Sequence, residues 1–260
     1  IGGYSAALLV MRLGWPWELA FPGGVAAATA SGALLGILTN RVRTHYLILI
    51  TLAFHTFTLL VIINAIDITG GPVGLYPIPT LTLGPYQATG PDELFYPAAV
   101  LAVLSAYLVE RLHRSRVGLA MRAVKENERA AQSAGIEPAY YRIVGLALSG
   151  FFAGIGGVLF ASVVKFLGPE SFDLATALFY IVIVVLGGMG NTLGVIAMAV
   201  VLTVLTEQLS ALADYRVLIY GALVIVVMAV APGGVPEALL TIARSRLRWL
   251  RWPGRRAAAR

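Results

Sequence analysis

The sequence predicts an all-α fold, a polytopic bundle of transmembrane helices in which some helices are short or broken. Three observations predict it. Hydrophobic residues make up 58% of the 260-residue chain and charged residues only 12%, whereas soluble domains run about 45–50% apolar and about 25% charged. The mean hydropathy is +0.83, more apolar surface than a soluble core of this size can hide. The apolar residues are also gathered into runs of about 20, the length that crosses roughly 30 Å of hydrocarbon as a helix, and the charges sit at the ends of those runs.

Taken in order, Ile1–Leu13 is apolar but too short to span, and no basic segment with a small-residue cleavage site marks it as a signal peptide. The chain opens inside this stretch, at Ile1 rather than Met, and is expected to lack its natural N-terminus. Leu19–Leu38, Tyr46–Ile66, Phe95–Leu112 and Ile143–Val164 read as full spans. Leu174–Leu186, Leu193–Leu205 and Val217–Val230 are shorter, and some of these are expected to be tilted, broken or re-entrant. Gly-interrupted segments survive at membrane depth only where protein or a wet cavity surrounds them.

Letting the runs alternate across the bilayer sorts the basic residues by side. Arg41 and Arg43 fall on one side. So do Arg111, Arg114, Arg116, Arg122, Lys125, Arg129 and Arg142 of the central loop, together with the seven arginines of 244–260, which brings that side to sixteen of the nineteen Lys and Arg. Only Arg12, Lys165 and Arg216 lie opposite. Basic loops stay in the cytoplasm, so the central loop 111–142 and a basic tail, 236–260, are expected there, flanking a membrane domain that extends over 1–235. The net charge of +6 is therefore a topology signal. It does not call for nucleic acid, which would meet its cations on one soluble face. Trp249 and Trp252 are placed to hold the tail against the inner leaflet, and Trp15 and Trp17 suit an interfacial belt.

On the opposite side, Asp67–Leu94 has no Lys or Arg and is dense in Gly and Pro, a composition that excludes helix. Small residues recur four apart at Gly32 and Gly36, Gly150 and Gly154, and Gly190 and Gly194, a spacing that lets helix backbones approach closely in lipid.

Catalysis finds no support. With no cysteine there is no disulfide, thiolate metal site or thiol nucleophile. No HExxH, GxSxG or Walker loop occurs, and the three histidines, His45, His55 and His113, are scattered. Neither a metal site nor a bound cofactor is expected. Polar residues inside the spans are few; His55, among Thr51, Thr56 and Thr58 in Tyr46–Ile66, stands out, although a lone His more often bonds a neighbouring helix than relays protons.

The central loop is the richest local signal. Arg116–Ala134 reads as one helix, with Val117, Met121 and Val124 on an apolar stripe, a stop at Gly135, and a second helix starting at Pro138 and running into the next span. A helix, a tight turn and a second helix at a cytoplasmic face make a docking element; a helix lying flat on the membrane is the bland alternative.

Within that loop Arg122–Gly135, RAVKENERAAQSAG, resembles the cytoplasmic loop of ABC-importer permeases: Glu128, the pair Ala130–Ala131, and Gly135 four residues later follow its acidic–Ala–Ala–x3–Gly pattern, with Arg129 interposed. Together with TGGPVGLYPIP (Thr69–Pro79) and LGGMGNTLG (Leu186–Gly194), in this order, it resembles the permease subunits of branched-chain amino acid ABC importers over most of the chain, from Gly2 to Val235. One departure is ITLAFHTF (Ile50–Phe57), where relatives carry a small residue followed by an acidic or amide one. The resemblance implies a further helix ahead of Ile1 and an assembly in the cytoplasmic (inner) membrane of a bacterium or archaeon. It also implies a second, homologous permease subunit, two cytoplasmic ATPases that bind the ATP, and a periplasmic binding protein that delivers the substrate. Glu128, Ala130, Ala131 and Gly135 are then expected to couple to the ATPases. His55, Thr69, Gly70, Gly71, Gly74, Gly187, Gly188 and Gly190 are the candidates for the translocation path. Branched-chain amino acids are the expected substrates, with urea or short amides as an alternative and an ATP-independent channel as the different-class one.

Overall fold

A computed structural model describes residues 1–40, 46–83, 86–87 and 90–208. Val217–Val230, the basic tail, Arg41, Arg43, Arg216 and both tail tryptophans lie outside the described residues. Those described are almost wholly helical: α1 (Gly2–Leu13), α2 (Trp17–Thr39), α3 (Leu47–Asn64), α4 (Ile66–Thr69), α5 (Pro91–His113), α6 (Arg116–Glu126), α7 (Glu128–Ser133), α8 (Pro138–Val164), α9 (Leu174–Gly187) and α10 (Thr192–Gln208). Among the described residues five segments are long and apolar enough to cross a membrane: Trp17–Thr39, Leu47–Asn64, Glu93–His113, Pro138–Val164, and Pro169–Gly187, which includes a short 3-10 turn. The chain is a multi-pass membrane protein and a helical bundle, as its composition predicts.

Two compact units divide it, Ile1–Phe172 and Asp173–Arg260. In the first, α1, α2 and α8 pack backbone to backbone, and glycine makes this possible. A Cβ on Gly2 would stand 2.9 Å from the Gly154 Cα, one on Gly3 2.6 Å from the Gly157 carbonyl oxygen, and one on Gly36 2.6 Å from the Ile143 Cα. Gly32 faces Leu146 and Gly150, and Gly150 faces Ala28. These contacts descend α2 while ascending α8, so the two helices are antiparallel along nearly their whole length. The Gly32/Gly36 and Gly150/Gly154 pairs thus serve close helix packing, the route to dispersion gain between helices that have no hydrophobic drive to associate in lipid. Gly190 does not: it lies outside any helix, in the turn before α10.

The Gly- and Pro-rich segment 67–94 closes one end of this bundle. It departs from the expected absence of helix in α4, in a 3-10 turn at Gly71–Val73, and in the first turn of α5, where Pro91 sits at a position that needs no amide. Between them the chain runs extended, with a two-residue antiparallel ladder pairing Thr82 with Gln87 and Leu83 with Tyr86. Leu75, Ile78 and Leu81 turn inward to join Tyr4, Trp17, Val158 and Leu167 in one core. Leu75 and Leu167 exchange both backbone hydrogen bonds, at 3.0 and 3.2 Å, and the Ile78 amide donates to the Lys165 carbonyl at 3.1 Å. Trp17, expected in an interfacial belt, is 1% exposed in this core, while Trp15 is exposed. The difference follows from the helix start: Trp15 precedes α2, whereas Trp17 opens it and belongs to the core that Tyr4 of α1 shares with Leu75, Ile78 and Leu81.

In the second unit α9 and α10 form a helical hairpin with Val182, Ile183, Leu186 and Leu202 at its centre.

Candidate functional site

The central loop, 111–142, folds into a compact cluster in which each helix end has a local reason. Ser115 accepts the Gly118 amide at 3.2 Å and so caps α6. Gly118 lies against the backbone of Leu112 and His113, which lets α6 fold back on the end of α5, and the Arg122 guanidinium donates to the His113 carbonyl at 3.1 Å. The Met121 methyl reaches 4.0 Å from where a Gly145 Cβ would be, seating α6 on α8.

The single helix expected over Arg116–Ala134 is instead two. Asn127 adopts an extended backbone, φ −155° and ψ 102°, and its side chain accepts the Ala130 amide at 3.1 Å. It ends α6 and caps α7 in one residue. The signal is present in the sequence: Asn is a strong N-cap and a weak helix former, because its side chain competes for backbone amides. The stop at Gly135 is as expected, and its geometry is a Schellman motif. Gly135 has φ +80°, its amide donates to the Gln132 carbonyl at 2.9 Å, and the Ile136 amide donates to the Ala131 carbonyl at 3.0 Å. Pro138 then opens α8, which runs unbroken to Val164.

The four loop residues singled out from sequence fall together, but they do not share a face. Ala131 is buried, 3% exposed, while Glu128, Ala130 and Gly135 are exposed. Sequence reasoning missed Arg142 as the partner of Glu128: its guanidinium donates to Glu128 Oε1 at 3.2 Å, across fourteen residues. No periodicity signals that pair, because the turn at Gly135 decides whether the two side chains meet.

The residues considered for a path are dispersed. His55 lies on the inward side of α3 with Thr51 and Thr58. The threonine hydroxyls donate to carbonyls of their own helix, at 2.9 and 2.8 Å, whereas His55 Nε2 is buried with no hydrogen-bond partner among the described residues. Thr69 is buried at the end of α4, with its hydroxyl bonded to the carbonyls of Ile62 and Ala65 and accepting the Gly71 amide. Gly70, Gly71 and Gly74 all have positive φ, and Gly74 lies against the backbone of Leu167 and Gly168; this stretch is built into the closure of one end of the bundle. In the second unit a Cβ on Gly187 would stand 2.5 Å from the Val195 Cα. Gly188 and Gly190 have φ of 88° and 97°, and the Asn191 side chain accepts the Gly194 amide at 3.1 Å at the start of α10. These glycines make the tight turn that joins α9 to α10.

Comparison with known proteins adds a family. The profile described as "Branched-chain amino acid transport system / permease component" matches residues 1–228. The chain is 34% identical to the high-affinity branched-chain amino acid transport system permease protein LivM of Escherichia coli (strain K12), over 95% of this chain and 63% of that protein. It is 25% identical to the probable branched-chain amino acid transport permease protein LivM of Methanocaldococcus jannaschii, over 79% of this chain and 64% of that protein. A shorter likeness, 40% identity over 68 residues, is to the nucleoside ABC transporter permease protein NupC of Lactococcus lactis, covering 26% of this chain and 20% of that protein. The chain thus spans less than two thirds of the length of these curated relatives. No solved structure matches it.

Proposed function

This chain belongs to the permease-component family of branched-chain amino acid transport systems, and from that premise we propose that it is the membrane-spanning subunit of an ATP-driven importer of branched-chain amino acids. Its partners are a second, homologous permease subunit, two cytoplasmic ATPases that bind the ATP, and a periplasmic binding protein that presents the substrate. The assembly sits in the cytoplasmic membrane with the tail 236–260 inside.

The observation that carries this reading is the continuity of α8 with the loop. The α6–α7 cluster presents an exposed tip, and the helix that follows its Gly135 stop is the same helix that crosses the membrane and interlocks with α2. A rigid path of this kind suits a part that receives a push from an ATPase, since a flexible link would absorb the displacement. The absence of Asp, Glu, Lys and Arg from Leu47–Asn64 and from Ile143–Val164 suits a zwitterionic substrate, which needs no fixed net charge along its route. His55 is proposed to line that route. Thr69, Gly70, Gly71 and Gly74 shape its outer mouth, and Gly187, Gly188 and Gly190, which make the turn between α9 and α10, are further candidates for it. Glu128, Ala130 and Gly135 are proposed to form the ATPase seat, and Ala131, which is buried, to hold in shape the loop that carries it.

The test is reconstitution of the whole assembly in vesicles with radiolabelled leucine. Uptake is expected only with ATP and with the binding protein present. Uptake by this permease alone, without ATPase subunits, overturns the importer reading in favour of a facilitator.

A further inference from the structure

Between α7 and α8 lie four residues, 134–137, with Gly135 in the left-handed region at φ +80° and nothing within 4 Å of where its Cβ would be. Such a link permits a hinge: the Schellman turn fixes the end of a six-residue helix, while the open surroundings of Gly135 leave room for its angle to α8 to change. The structure contains a contact that opposes the swing. Glu128 is the first residue of α7, the end farthest from the hinge, and its carboxylate accepts from Arg142, in the second turn of α8. The tie therefore closes a triangle whose corners are the start of α7, Gly135 and Arg142. The Arg142 side chain is 16% exposed and that of Glu128 is 46% exposed, so the cation is anchored within the cluster and the anion comes to it from the solvent side. Ala131, in the middle of α7, is buried, so this helix packs on the cluster along one face.

We propose that the Glu128–Arg142 pair is a strut that fixes the angle between α7 and α8, and that Arg142 is a positioning residue for coupling. Pressure on the exposed face of α7 then becomes a tilt of α8 instead of a rotation about Gly135. The residue after Arg142 is Ile143, and it lies against Gly36 of α2, so a tilt of α8 carries α2 with it. A partly exposed ion pair contributes little to folding. Its value here is geometric, and the helices remain formed without it because Asn127 and the Schellman turn hold α7 independently. The transport role of the strut rests on the importer reading; its mechanical role does not.

The chain has no cysteine, so a pair of spin labels can be introduced, one at Gln132 and one at Ser149, both exposed, in the full-length permease assembled with its partners in lipid nanodiscs. The distance distribution between them is expected to be narrow in the parent. It should broaden in Arg142→Ala and in Glu128→Ala, and narrow again in the swapped double variant Glu128→Arg/Arg142→Glu. In vesicles, leucine taken up per ATP hydrolysed should fall about fivefold in Arg142→Ala, an effect read at a residue outside the proposed ATPase seat. Arg142→Lys should keep most of the ratio, since it retains a charge but loses the planar fork. An unchanged distribution in Arg142→Ala overturns the strut whether or not leucine is transported, and so does a swap whose distribution is as broad as that of either single variant. If the parent assembly takes up no leucine with ATP, the importer reading fails, while the distance distributions still judge the strut.

Discussion

Gly36 of α2 lies so close to Ile143 of α8 that a methyl group on Gly36 would stand 2.6 Å from the Ile143 Cα. The obstacle is backbone, which cannot rotate aside as a side chain tip can. A larger residue must therefore part the helices at the point where the loop cluster joins the bundle. Gly36→Val is expected to cost about 1–3 kcal/mol from overpacking and to lower the thermal unfolding midpoint in detergent by several degrees. Gly156 offers the comparison, because nothing lies within 4 Å of its Cβ position and it sits inside α8. Gly156→Ala should leave the midpoint unchanged or raise it, through a helix-propensity gain of up to about 1 kcal/mol. Equal midpoints for the parent and Gly36→Val would show that the interlock is not tight.

Gly135 presents the opposite case, strain without crowding. Its surroundings are open, so a substitution there is opposed only by its φ of +80°. Gly135→Ala should destabilise the turn by about 1–2 kcal/mol, and Gly135→Asn by less, since Asn visits this region more readily. Amide hydrogen exchange over 128–136 measures this directly. The expected order of protection is Gly, then Asn, then Ala; identical exchange in all three would remove the Schellman turn as the element that ends α7.

The neighbouring alanines should separate packing from docking. Ala131 is buried and Ala130 exposed. Ala131→Leu is expected to disturb the cluster, and a lowered unfolding midpoint would report it. Ala130→Leu should keep the parent's midpoint while reducing co-purification of the ATPase subunits. Were Ala130→Leu to retain its ATPases in full, the seat would have to lie on another face of the loop.

His55 carries an orphaned nitrogen in an apolar helix, and an unpaired buried polar atom costs about 1–3 kcal/mol. His55→Leu removes that cost, so its unfolding midpoint should equal or exceed the parent's. Uptake of leucine should nevertheless fall, because the proposed path loses a polar group. A variant that is stable and transports at the parent's rate would take His55 off the route.

Much of this protein is legible in its sequence, and the reason is that the membrane imposes local rules. Spans declare themselves by length and hydropathy because every backbone polar group in lipid must be satisfied within its own segment. Gly135 and Pro138 are legible as the end of one helix and the start of the next because a left-handed residue and a residue without an amide have few other places to sit. Asn127 is readable in principle by the same logic, though the apolar stripe through Val117, Met121 and Val124 points to a single unbroken helix.

What only the tertiary structure decided involves residues distant in the chain. That Gly32 and Gly36 face Gly150 and Ile143, that Trp17 is core while Trp15 is surface, and that Leu75, Ile78 and Leu81 seal the bundle against Leu167 all depend on how separate helices cross. Hydropathy is nearly the same around a lipid-facing and a buried helix face, so it does not encode that crossing. The ion pair of Glu128 with Arg142 belongs with them: two charges fourteen residues apart meet only because the turn between their helices takes one particular shape.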